Sequence, residues 1–188
     1  LIIFGLVTYA TKGVSFGAID PAIPNIFIPK AGRFPMIILW AIIAVVVVWF
    51  IWNKTTFGKN LYAVGGNPEA STVSGISVFK VTMGAFIMAG ILYGFGSWLE
   101  CLRMVGSGSA AYGQGWDMDA IAACVVGGVS FTGGIGKISG VVTGVLIFTS
   151  LTYSLTILGI DTNLQFIFEG IIILAAVTLD CLKYVQKK

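Results

Sequence analysis

Long apolar runs alternate with short polar, glycine-rich segments along this chain. Residues 35–52, 81–99, 138–158 and 164–182 are runs long enough to cross a hydrocarbon core of ~30 Å, which takes about 20 helical residues. Residues 118–131 form a shorter run, about 21 Å long as a helix. It is read as a fifth crossing, short or broken at Gly127-Gly128. The opening run, residues 1–11, is too short to cross, and is expected to be the tail of a helix whose start is missing. On that expectation the chain is the C-terminal part of a longer protein. Pro21, Pro24 and Pro29 exclude a regular helix across residues 12–34, and Pro35 suits a helix start. Trp49 and Trp52 mark one interface, with Asn53-Lys54 beyond it. Residues 104–117 and 159–163 read as loops, and residues 183–188 as a basic tail.

Composition supports this pattern. The chain is 57% hydrophobic and 10% charged, with 25 glycines, and its mean hydropathy is +0.96. Soluble domains carry about 25% charged residues, so the expected class is an all-α, polytopic membrane helical bundle. A net charge of +3 is too small and too scattered to suggest nucleic acid as a partner. Cys101, Cys124 and Cys181 read as small buried hydrophobes with neither a disulfide framework nor metal spacing. Histidine is absent, which removes the commonest general base and metal ligand. No cofactor and no metal are expected.

Charge orients the runs. Lys54, Lys59 and Lys80 flank one loop, and Lys183, Lys187 and Lys188 end the chain, so the positive-inside rule places both in the cytoplasm. An even number of crossings must separate them, which is the reason for taking 118–131 as a crossing. Asp117, Asp119 and Asp161 then fall on the outer face.

The segment from Thr56 to Ile76 is the polar centre of the pattern, and its middle has helix grammar. Asn67 is a good N-cap, Pro68 suits the first helical position, and Glu69 favours the positive end of the dipole. Residues 69–74 make one or two turns, and Gly75 is a natural stop. The alternative is an ordinary loop that contains a helix. Elsewhere, Gly136, Gly140 and Gly144 recur every four residues, as do Gly90 and Gly94, and such faces are expected to pack helices closely.

Catalytic constellations fail. Gly134-Ile135-Gly136-Lys137 lacks the first glycine and the following Ser or Thr of a phosphate-binding loop, because those positions hold Phe131 and Ile138. Gly58-Lys59 fails likewise, with Asn53 and Asn60. No acids are paired by spacing near a base, so no catalytic residue is assigned. Glu169 lies inside the last run, and a side chain reaching the outer interface is preferred over a buried partner or wet cavity. Asp180 and Lys183 read as an interfacial ion pair.

The segment Gly58-Lys-Asn-Leu-Tyr-Ala-Val-Gly-Gly-Asn-Pro-Glu-Ala70, followed by Val73-Ser-Gly-Ile76, resembles the cytoplasmic loop of permease subunits in ribose- and galactose-type ABC sugar importers. Leu99-Glu100 with Arg103, Asp119–Gly136, Gly140–Gly144 and Gly170–Asp180 continue the resemblance in register. It covers nearly the whole chain and is weakest over residues 1–34. Residues 65–70 and 119–128 are most similar to the galactose/methyl-galactoside branch.

The resemblance implies a type II importer-like permease, here with five spanning segments plus a truncated one. It also implies two ATPase subunits, a periplasmic sugar-binding protein, a second permease copy and a bacterial inner membrane. The chain would then carry no ATPase site of its own. Residues 67–76 would be the coupling helix that docks on the ATPase, with Asn67, Pro68, Glu69, Ala70, Ser71, Val73, Ser74, Gly75 and Ile76 at the contact. Helical spacing suggests Glu69 and Ser71 toward the partner and Ala70, Val73 and Ile76 on the packed face. The competing reading is an ion-coupled secondary sugar transporter, for which Glu169 would be thin support. A membrane enzyme would need a clustered acid, base or metal site, and none is visible.

Overall fold

The computed structural model describes residues 2–14, 20, 22–31, 34–105, 108, 112, 113 and 115–185, with side chains at 30, 31, 34, 162, 163, 176 and 179–185 set aside. The proposed Asp180–Lys183 pair and the tail beyond residue 185 lie outside the described side chains. Among the described residues the architecture is helical apart from one two-residue ladder, in which Lys30–Ala31 pairs antiparallel with Phe34–Pro35.

The chain divides into two compact units, residues 1–48 with 82–114, and residues 49–81 with 115–188. The first holds α1 (Ile2–Thr11), α2 (Ala22–Phe27), most of α3 (Ile37–Lys54) and most of α6 (Val78–Arg103). The proline-rich stretch thus contains a short helix that was not expected there, with Pro24 in its first turn, where a missing N–H costs little. Pro35 sits in the ladder, and α3 begins at Ile37 instead. Trp40 donates from its indole nitrogen to the Phe27 carbonyl at 3.0 Å. Phe27, Trp40, Phe95 and Trp98 meet edge-on or tilted, with centroids 5.1–6.4 Å apart. Such contacts hold the end of α6 to α2 and α3. Beyond them, Arg103 pairs with Glu100, and Tyr112 donates to Glu100 at 2.7 Å. The hydrogen bond to that carboxylate holds the Tyr112 phenol above its ordinary value. Cys101 is exposed here, so it is not the small buried hydrophobe the sequence suggests.

The second unit holds α4 (Thr56–Gly66), α5 (Pro68–Val73), α7 (Trp116–Val126), α8 (Ile138–Ile157) and α9 (Thr162–Val185). By length and composition, α3, α6 and α8 are the helices able to cross a membrane among the described residues. α7 is shorter than the run 118–131. It stops at Gly127-Gly128, where Gly128 takes φ +83°, and spans only about 16 Å. The core joins α7, α8 and α9 through Ala122, Ala123 and Phe148, with Ile173 packed against them.

Candidate functional site

The polar segment is a two-helix corner. The run from Thr56 to Gly66, expected as loop, is the helix α4, and Thr55 caps it by accepting from Gly58 N at 3.3 Å. Asn67 is the hinge of the corner and serves both helices. Its backbone N–H donates to Ala63 O at 3.0 Å and closes α4. Its side-chain Oδ1 accepts from Ala70 N at 2.9 Å and opens α5. Asn67 holds extended backbone angles, which let the chain turn between the two axes.

The expected short helix is present as Pro68–Val73, with Pro68 at its start and Glu69 in its first turn. Gly75, at φ +81°, ends it, and Ile76 N reaches back to Ser71 O at 3.0 Å. Hydroxyls knit it further. Ser71 donates to Asn67 O at 2.8 Å, Thr72 to Pro68 O at 2.9 Å, and Ser74 to Ala70 O at 2.9 Å.

The facing differs from the expectation. Ser71 is the buried position, whereas Ala70 is exposed and Val73 is 91% exposed. Glu69 is exposed as expected, and Ile76 is half-buried. The reason is local: the Ser71 hydroxyl is satisfied by the Asn67 carbonyl behind it, so this small polar group can face inward while Val73 faces out.

The corner is seated on the turn between α7 and α8. Tyr62 donates its hydroxyl to Gly136 O at 2.9 Å. Three residues on, Gly65 meets the turn backbone to backbone: a Cβ there would stand 2.7 Å from Gly134 N. Gly134, at φ +71°, would place a Cβ 2.6 Å from Gly66 Cα. Behind the turn, α7 and α8 approach just as closely. Gly127 lies against Gly140, where a Cβ on Gly127 would sit 2.5 Å from the Gly140 carbonyl oxygen. Gly144 lies against Ala123 and Gly127, with a Cβ 2.7 Å from Gly127 N. A depression of about 420 Å³ lies between these elements, lined by Tyr62, Gly127, Gly128, Gly134, Gly136 and Lys137 among others.

The glycines at four-residue spacing differ in their surroundings. Gly140 and Gly144 pack closely on α8, but Gly136 lies in the turn ahead of it, beside Val129. Gly90 and Gly94 have nothing within 4 Å of a Cβ position. Their spacing alone cannot tell an outward face from a packed one. Gly65, Gly127 and Gly134 were missed because each meets a glycine far off in sequence.

The expectation for Glu169 is also overturned. It is 6% exposed. Gln165, Glu169 and Ile173 share one face of α9 at four-residue spacing, and that face turns inward. No group of three or more potential metal ligands occurs among the described residues.

A family model described as branched-chain amino acid transport system / permease component matches residues 1–177. The chain belongs to that family. It is 55% identical over 200 aligned residues to the galactose/methyl galactoside import permease protein of Treponema pallidum (strain Nichols), covering 100% of this chain and 37% of the relative. It is 51% identical over 156 residues to the protein of the same name in Escherichia coli (strain K12), covering 83% of this chain and 46% of that protein. The xylose transport system permease protein of Haemophilus influenzae is 42% identical over 147 residues, or 78% of this chain and 38% of the relative. The chain thus spans less than half the length of these relatives. No solved structure matches it. The match extends over α4, the Asn67 corner, the glycine turn and α7–α9 down to residue 177.

Proposed function

We propose that the chain belongs to the membrane permease of an ATP-driven importer for a monosaccharide, galactose or methyl galactoside or a close relative. The names of the relatives at 51–55% identity support the substrate class. On this reading it works in a bacterial inner membrane as a multi-pass subunit with a cytoplasmic C-terminus. A second permease copy, two ATPase subunits and a periplasmic sugar-binding protein complete the assembly. The chain has no ATPase site of its own.

The observation that carries the reading is the doubly capped corner at Asn67, exposed at Glu69 and Val73 and seated through Tyr62 on the glycine turn. α5 is the coupling helix that docks on the ATPase. Because α4 and α5 share Asn67 as their cap, a push on α5 turns α4 with it. Backbone-to-backbone contact at Gly65–Gly134 then passes the displacement to the turn, and so to α7 and α8. Side chains at these contacts would yield by changing rotamer, whereas glycine backbones cannot. The lever is stiff where it must be.

The test places single cysteines at Glu69, Thr72 and Val73 in a permease lacking Cys101, Cys124 and Cys181, with cysteines in the ATPase groove. Crosslinks at these positions that change with ATP support the reading. No crosslink at any of them, with the assembly intact, overturns it. The buried carboxyl of Glu169 favours one competitor, an ion-coupled transporter. That competitor requires sugar uptake to persist when the ATPase is inactivated.

A further inference from the structure

We propose that the groove receiving α5 sets a cation of the ATPase subunit against Glu69 and an apolar slot against Val73. This deepens the docking reading above and rests on it. The chemistry follows from what α5 offers outward. Its hydroxyl protons are already committed to the helix itself. Ser71 donates to Asn67 O at 2.8 Å, Thr72 to Pro68 O at 2.9 Å and Ser74 to Ala70 O at 2.9 Å. The Ala70 N–H is likewise taken, by Asn67 Oδ1 at 2.9 Å. Pro68, Ala70 and Val73 are exposed and apolar. Across residues 68–74 the one charged side chain is Glu69, which is exposed and makes no ion pair among the described residues. The outward side of α5 therefore presents methyl groups and acceptors, with no side-chain donor to give.

The partner must match this surface. A carboxylate closed off from water without a partner carries a heavy desolvation cost, and a cation that hydrogen-bonds to it offsets that cost best. The Val73 methyls gain from burial only against an apolar wall. Hydroxyls that donate inward ask no acceptor of that wall. The surroundings sharpen the choice. Between residues 54 and 80 Glu69 is the sole acid, against Lys54, Lys59 and Lys80. Lys54 lies over the Trp49 ring, 5.8 Å from its centroid, and Lys59 and Lys80 are exposed. A groove cation is drawn to Glu69 and repelled by the lysines around it, which fixes one register for α5.

The test uses the full-length permease in lipid nanodiscs with its purified ATPase subunit. Binding is measured at low and high salt for wild type, Glu69→Gln, Glu69→Asp and Val73→Ala. Both positions are exposed, so the unfolding midpoints should match wild type. Glu69→Gln should weaken binding about tenfold and flatten its salt dependence, because a charge-assisted hydrogen bond is lost. Glu69→Asp keeps the charge and should recover most of both. Val73→Ala should weaken binding about tenfold through lost methyl burial, with the salt dependence unchanged. Glu69→Gln binding with wild-type affinity and salt dependence overturns the proposal. So does wild-type affinity in Val73→Ala, because no slot then holds that side chain. A Val73→Cys crosslink to the ATPase separates the two levels. If it forms alongside either of these overturning results, the groove chemistry alone is wrong; if it never forms, the docking reading fails and this inference with it.

Discussion

The hydroxyl of Tyr62 on α4 donates to the carbonyl of Gly136 at 2.9 Å, across 74 positions of sequence. It ties the polar corner to the α7–α8 turn beside the Gly65–Gly134 approach. Shape alone would let α4 slide along the turn, and this bond sets the register.

Tyr62→Phe keeps the ring and deletes the donor. A partly buried neutral hydrogen bond is worth about 1 kcal/mol, so a small fall in thermal stability is expected. If α4 transmits motion as proposed, sugar uptake should fall more than stability does. Comparing the unfolding midpoint with uptake at equal membrane levels checks this.

Alanine at Gly127 or Gly140 must push α7 and α8 apart, because each Cβ would overlap the facing backbone. The expected cost is roughly 1–3 kcal/mol, from overpacking with no side chain able to yield. Alanine at Gly90 or Gly94 meets open space and should be neutral or slightly favourable through helix propensity. Thermal unfolding of the four variants in one detergent decides between a packed and an open reading of each stripe.

Asn67→Ala removes the cap of α5, at about 1 kcal/mol, while the backbone N–H that closes α4 is untouched. Asn67→Asp preserves the acceptor and should restore the cap. Proteolysis at the α4–α5 junction should rise in the alanine variant and return to normal in the aspartate variant.

Val73→Asp alters a side chain that is 91% exposed, so folding should hardly change. Under the proposed function the same change places a charge in the ATPase groove. Loss of ATPase co-purification with an unchanged unfolding midpoint is the expected pattern. A variant that binds the ATPase normally would remove Val73 from the docking face.

Glu169→Ala removes a side chain that is 6% exposed on the inward face of α9, a loss of about 1–3 kcal/mol. Glu169→Gln keeps the size and shape of that side chain and should unfold close to wild type, with only a modest effect on transport. A complete loss of uptake in Glu169→Gln at normal membrane levels would give that side chain a direct part in transport.

Much of this chain could be read without coordinates, because the governing rules are local. A run of apolar residues is long enough to cross or it is not, so α3, α6 and α8 appear in the sequence as they do in the structure. The α5 cap depends on four adjacent residues, so Asn67, Pro68, Glu69 and Gly75 name its ends. α4 was missed because its glycines and mixed polarity read as loop, yet Gly58 and Gly65 are the positions where its helix meets other backbone.

Tertiary contacts decided the rest. Gly90–Gly94 and Gly140–Gly144 share one spacing, but α7 lies against the second pair while the first faces open space. That Glu169 faces inward depends on the core that α7, α8 and α9 bury together, with Ile173 one turn further along the same face. Local propensity and hydropathy act within a few residues, whereas facing and pairing follow from which surfaces the folded chain brings together.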